Sequence, residues 1–126
     1  MPVVFTDFLD SKSLEFREHA SRAHLLVVTS LFDAQGLVVL EVLAMGRPVV
    51  ASDVGGIGTM LTRNVGRLVP PSDGTALARV IWELHDDPST TLAMGRCARE
   101  HVVRNSSWRA CAEAYGNAIQ RAVTAT

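Results

Sequence analysis

Two carboxylates, Asp33 and Glu41, stand either side of a glycine in the stretch from Ser30 to Gly56, SLFDAQGLVVLEVLAMGRPVVASDVGG. Asp33 comes just before Gly36, where the chain can turn, and Glu41 is the one charged side chain between Leu37 and Met45. A helix apolar at all its other positions reads as buried. Its carboxylate then needs a polar crevice or hydrogen-bond donors from a ligand or the backbone, because charge is rarely enclosed without compensation. The N-terminus of such a helix offers unpaired N–H groups and the positive end of the helix dipole, which favour phosphate and other anions. Plainer readings stay open beside this one. Glu41 can be an outward-facing helix acid, Asp33 a turn residue or cap, and Gly55–Gly56 simple turn chemistry.

The elements that must place these residues follow from the apolar pattern. Val3–Phe5 reads as a strand, Leu14–Ala23 as a polar helix, and Leu25–Thr29 as a second strand, apolar throughout as in a sheet covered on both faces. The helix Leu37–Met45 ends at Gly46. Pro48–Ser52 and Val65–Val69 give two further strands, the first opening on a proline where one is tolerated. Beyond Pro71 the chain turns helical. Asp73 can cap a helix with Leu77, Val80, Ile81 and Leu84 in one stripe, stopping near Pro88. A second helix runs from about Thr90 to Arg104. Ser107 can cap a third, with Trp108, Cys111, Ala112, Tyr115, Ile119 and Ala122 on one face. The predicted fold is α/β, a Rossmann-like parallel sheet with helices on both faces followed by C-terminal helices, in one domain over residues 1–126.

Composition narrows the function classes. The 126 residues are 48% hydrophobic and 20% charged with a formal net charge of −1, so no excess of positive charge suggests nucleic acid or an anionic membrane as partner. Lys12 is the sole lysine. No apolar run approaches the ~20 residues of a membrane span, the opening residues are too short in apolar character for a signal peptide, and a cytoplasmic protein is expected. Cys97 and Cys111 fall among small residues on predicted helices and read as buried free thiols, in no zinc spacing. His19, His24, His85 and His101 have no paired ligand and are read as solvated or satisfied.

In order, the stretch gives a small residue, an acid, two residues, Gly, an apolar helix with Glu in its second turn, Gly-x-Pro-Val-Val, then Ser-Asp-Val-Gly-Gly. It resembles the donor-binding motif of the retaining GT-B glycosyltransferases of family four, the "glycosyl transferases group one". GRLVPPSDGTALARVI from Gly66 to Ile81 and MGRCAREHVVRNSSW from Met94 to Trp108 resemble further segments of that family, so the likeness covers nearly the whole chain. The resemblance implies a chain that binds a nucleotide-sugar (NDP-hexose) donor, within an enzyme that transfers the hexose to an acceptor with retention.

Glu41 would take the ribose hydroxyls. Asp33, standing where the family usually has its first Glu, would contact the donor sugar, since a carboxylate accepts several hydroxyl hydrogen bonds. Backbone N–H groups around Gly36 and Leu37 would meet the sugar or diphosphate, and Gly55 and Gly56 would keep the neighbouring loop close. No protein nucleophile, cofactor or metal is implied. The family's acid-Gly-Phe-Gly is here Asp33-Ala34-Gln35-Gly36, and its Ile-Pro-Glu is Ile57-Gly58-Thr59. The N-terminal acceptor domain and the first strands of the donor domain, with their diphosphate-gripping Arg and Lys, lie outside this sequence. This chain alone is therefore expected to be inactive, and an N-terminal half-domain or self-association is the expected partnership.

Two other classes bear comparison. A non-catalytic nucleotide-binding or interaction module would keep the phosphate-binding geometry without turnover. A phosphoryl-accepting receiver domain would place Asp53 at a strand end but needs a late lysine, and none follows Lys12.

Overall fold

The computed structural model describes residues 5–125. Its elements in chain order are α1 (Leu14–Arg22), β1 (Leu26–Val28), α2 (Leu37–Ala44), β2 (Val49–Ser52), α3 (Ile57–Met60), β3 (Gly66–Val69), α4 (Gly74–Asp86), α5 (Pro88–Asn105) and α6 (Trp108–Thr124). The strands form a parallel sheet in the order β1-β2-β3, with Leu26 opposite Val49 and Val49 opposite Gly66. The expected α/β architecture is therefore present. Of the strand expected at Val3–Phe5, Val3 and Val4 lie outside the described residues, and Phe5 is exposed in irregular structure.

All four residues of β2 are buried because the pleat sends alternate side chains into two different cores. Val49 and Ala51 join Val39, Val42 and Leu43 of α2, Ile57 of α3, and Ala98 and Val102 of α5. Val50 points the other way, to Val69, to Ala76, Val80 and Leu84 of α4, and to Met94 of α5. Helices thus cover both faces of the central strand. β1 departs from the expectation of full cover, because Val27 lies on an outer strand of the sheet formed by the described residues and is 36% exposed.

Local signals account for most of the helix ends. The Asp73 carboxylate accepts from Ala76 N at 2.8 Å to start α4, and the Ser107 hydroxyl accepts from Ala110 N at 3.2 Å to start α6. Pro88 does not merely end α4; it is the first residue of α5, where its missing N–H is harmless, with Asp87 as the cap. α2 closes in a Schellman motif, Gly46 N on Leu43 O at 2.9 Å and Arg47 N on Val42 O at 3.2 Å. The guanidinium of Arg47 then donates to Ser21 O at the end of α1, and Arg99 of α5 donates to Ala44 O at 2.8 Å, which pins the C-terminal end of α2 from two sides.

Two expectations need correction. α2 is not buried all round: Leu37 is 63% exposed and Glu41 is exposed, since only the Val39, Val42 and Leu43 side meets the sheet and α5. The cysteines are not both enclosed, Cys97 being exposed and Cys111 half-buried. α6 turns its apolar stripe outward, and none of its residues is buried. Among the described residues no helix is long and apolar enough to cross a membrane.

Candidate functional site

After β1 the chain passes Leu31 and Phe32, both largely exposed, and reaches Asp33. The Asp33 side chain folds back on the backbone, its Oδ1 accepting from Gln35 N at 3.0 Å and from Gly36 N at 2.6 Å. Such an Asx turn fixes the loop that launches α2. Gly36 completes it with a left-handed φ of +57°, and a Cβ there would meet Ile57 Cγ1 at 2.8 Å, so both backbone and space require glycine. Among the described residues, Asp33 Oδ2 has no hydrogen-bond partner.

Gly36 O receives the N–H groups of Val39 and Leu40 at 2.9 and 3.4 Å. Leu37 and Val38, in the first turn, have no acceptor among the described residues, as a helix start dictates. The Gly36 N–H, expected to face a ligand, is instead held by Asp33 Oδ1. The donors left at the start of α2 belong to Leu37 and Val38.

Gly55 and Gly56, after β2, lie directly against the Asp33 loop. A Cβ on Gly55, whose φ is +49°, would sit 1.9 Å from Asp33 O, and one on Gly56 would sit 2.6 Å from Ala34 O. Gly56 N–H also donates to Ala34 O at 3.2 Å. The glycine pair thus clamps the first loop rather than lining open space. Asp33, Gly36, Leu37, Gly55 and Gly56 form one cluster at the carboxyl ends of β1 and β2, the end of a parallel sheet where α/β folds bind ligands.

Glu41 stands one turn beyond Leu37 on the same exposed face of α2. Its carboxylate has no hydrogen-bond or ion-pair partner among the described residues, and exposure rather than enclosure is why it needs none. It lines an open groove of about 630 Å³ between α1 and α2. The opposite wall includes Lys12, Arg17 and Glu18 over Leu14 and Phe16. Sequence reasoning missed this wall. Its sequence signal was the sole lysine, placed just ahead of a helix. Among the described residues no three histidine, cysteine or acidic side chains gather as a metal site.

With this geometry in place, comparisons with known proteins gain meaning. Residues 1–87 match the sequence model of the family described as Glycosyl transferases group 1. The chain is 37% identical over 120 residues to a D-inositol 3-phosphate glycosyltransferase of Corynebacterium efficiens, covering 94% of this chain and 28% of that protein. It is 39% identical over 85 residues to a GDP-mannose-dependent monoacylated alpha-(1-6)-phosphatidylinositol monomannoside mannosyltransferase of Corynebacterium glutamicum, covering 68% and 22%. Among solved structures, sucrose-phosphate synthase from Thermosynechococcus elongatus matches with a TM-score of 0.74 and 36% identity over 86% of this chain and 27% of that one. Anabaena HepE in complex with UDP-glucose matches with a TM-score of 0.67 and 25% identity, over 73% and 26%. The chain spans about a quarter of the length of these relatives.

Proposed function

The chain belongs to the group 1 glycosyl transferases, and we propose that it supplies the nucleotide-sugar-binding part of a retaining hexosyl transfer to an acceptor. One observation carries the reading: an unpartnered, exposed carboxylate, Glu41, lies one turn along α2 from the unpaired N–H groups of Leu37 and Val38. In this reading the diphosphate meets those N–H groups, where the helix dipole favours negative charge. Glu41 accepts the two ribose hydroxyls, and Asp33, through Oδ2, accepts a hydroxyl of the hexose. The acceptor's hydroxyl oxygen forms its bond to the anomeric carbon as the bond from that carbon to the diphosphate oxygen breaks; the electron pair stays on the leaving diphosphate, which takes up the hydroxyl proton, and the α2 N-terminus stabilises its charge. Gly36, Gly55 and Gly56 hold the Asp33 loop in place. No side chain of this chain acts as nucleophile.

The donor class is supported by a relative whose name carries GDP-mannose and by HepE, solved with UDP-glucose. A partner that supplies the acceptor side of the cleft, either an N-terminal half-domain or a second copy, fits the uncovered stripe of α6. The test is titration of the isotope-labelled chain with UDP and GDP, followed by NMR. The expected dissociation constant is on the order of 1 mM, about −4 kcal/mol, since only helix N–H groups grip the diphosphate. Glu41→Ala, at an exposed site, should leave the fold intact and weaken binding at least about fivefold. Unchanged shifts and affinity would make Glu41 a solvated surface acid and remove the ribose role.

A further inference from the structure

We infer that α6 is the contact helix of a two-fold symmetric dimer, in which the α6 helices of two copies lie antiparallel with their apolar faces together. The occupant of that face is a second copy of this chain.

α6 is held at one end only. Ala110 and Cys111 in its first turn are half-buried beside α5, whereas residues 112–125 are exposed throughout. A lone helix of this length is marginal in water, and helices draw most of their stability from packing an apolar face. At helical spacing Trp108, Ala112, Tyr115, Ile119 and Val123 run along one stripe, while Glu113 and Arg121 fall on the opposite side. Two such stripes therefore meet without burying a charge. The stripe also matches itself when reversed. About a two-fold axis level with Asn117, Tyr115 of each copy meets Ile119 of the other, and Ala112 comes beside the second copy's Val123. Gly116 at the edge of the stripe adds no side chain to hold the helices apart. Antiparallel packing also sets the two α/β bodies, each joined to its α6 at the amino end, at opposite ends of a helix about 25 Å long. The area suffices. Trp108 is 91% exposed and Tyr115 74%, and an aromatic side chain buries about 150–250 Å². With Ile119 and Val123 beside them, each copy contributes about 500 Å², so the pair buries about 1,000 Å², the lower bound of a specific interface.

Sedimentation of the full chain over a hundredfold concentration range tests the pairing. A discrete dimer is expected, with a dissociation constant on the order of 10 μM from so small an interface. Ala112→Glu and Val123→Lys, both at exposed positions and both to good helix formers, each put one charge into the apolar contact. Each should weaken the dimer at least about tenfold with helix content by circular dichroism unchanged. Combined in one chain, the two charges stand opposite each other only in the antiparallel register, and affinity should recover at least about fivefold. A parallel pair would set carboxylate against carboxylate and leave the double variant weaker than either single one. A strict monomer throughout, which leaves the face to a different chain, overturns the inference. So does an open series of larger species, a single variant that dimerises like wild type, or a double variant without recovery.

Discussion

Replacing Gly55 by alanine should damage the molecule at a point where two site loops press together. The new Cβ would lie 1.9 Å from Asp33 O and 3.0 Å from its carbonyl carbon, both backbone atoms that no rotamer change can move aside. The left-handed φ of +49° adds about 1–2 kcal/mol for a residue with a Cβ. Relief of the overlap adds about 1–3 kcal/mol more, as overpacking generally does. A loss of about 2–5 kcal/mol is a large share of the 5–15 kcal/mol typical of a domain. With a urea slope of about 1–3 kcal/mol/M, the unfolding midpoint should fall by about 1–2 M. The amide resonances of Gln35 and Gly36, which Asp33 holds, should move at the same time. Gly116→Ala is the control: a Cβ there meets nothing within 4 Å, and the swap should stabilise α6 by about 0.5–1 kcal/mol. If Gly55→Ala costs less than about 1 kcal/mol and leaves those amides in place, the loops are not in contact in solution and the clamping role is wrong.

Three further outcomes are expected. The purified chain should show no sugar transfer from common nucleotide-sugars, because holding the acceptor in line supplies about 7–11 kcal/mol of a barrier and this chain offers one side of a cleft; turnover clearly above spontaneous donor hydrolysis after rigorous purification refutes it. Hydrogen bonds from Thr90 and Ser89 hold the Asp87 carboxyl down at about 2 from an ordinary 3.8. A depressed folded value means the ionised cap stabilises α5 above about pH 4 and the benefit disappears as pH falls through about 2, so the stability gap between wild type and Asp87→Asn should close over that window; a gap constant from pH 6 to 2 contradicts this. Trp108, Tyr115, Ile119 and Val123 are each 63% exposed or more on α6, so sedimentation should show self-association over a hundredfold concentration range, reduced by Tyr115→Ser with Ile119→Ser. A strict monomer throughout would mean that α6 folds back to cover itself.

What the sequence reveals and what it hides divide along the range of the interactions. Asp73, Ser107 and Gly46 mark helix ends through hydrogen bonds to residues three or so positions away, so local chemistry predicts them. Pro48–Ala51 is a continuous apolar run, and the burial of all four residues of Val49–Ser52 on both faces follows, whereas Gly66–Val69 carries Arg67 and is buried only at its two ends. α3 escapes notice because IGTM is a single turn with no period to read, yet its Ile57 is the side chain that forbids a Cβ on Gly36. The groove wall is hidden for another reason: Lys12 and Glu41 share it only because α1 lies beside α2, held by the Arg47 hydrogen bond to Ser21 O and by Phe16 against the core rather than by any motif.

The sequence places Asp33, Gly36, Leu37, Gly55 and Gly56 on two loops that the fold brings together, but Glu41 is not the enclosed acid that its apolar helix implies. A helix apolar at every other position should hide its acid, and here it exposes both the acid and Leu37. Leu31 and Phe32, just ahead of Asp33, are exposed too. Residues whose type asks for burial and whose place denies it are where local and global demands disagree, and such disagreement concentrates at sites completed by something else. Leu37 and Glu41 flank the unpaired N–H groups of α2, so a ligand laid along that face would satisfy the apolar side chain, the orphan donors and the lone carboxylate together.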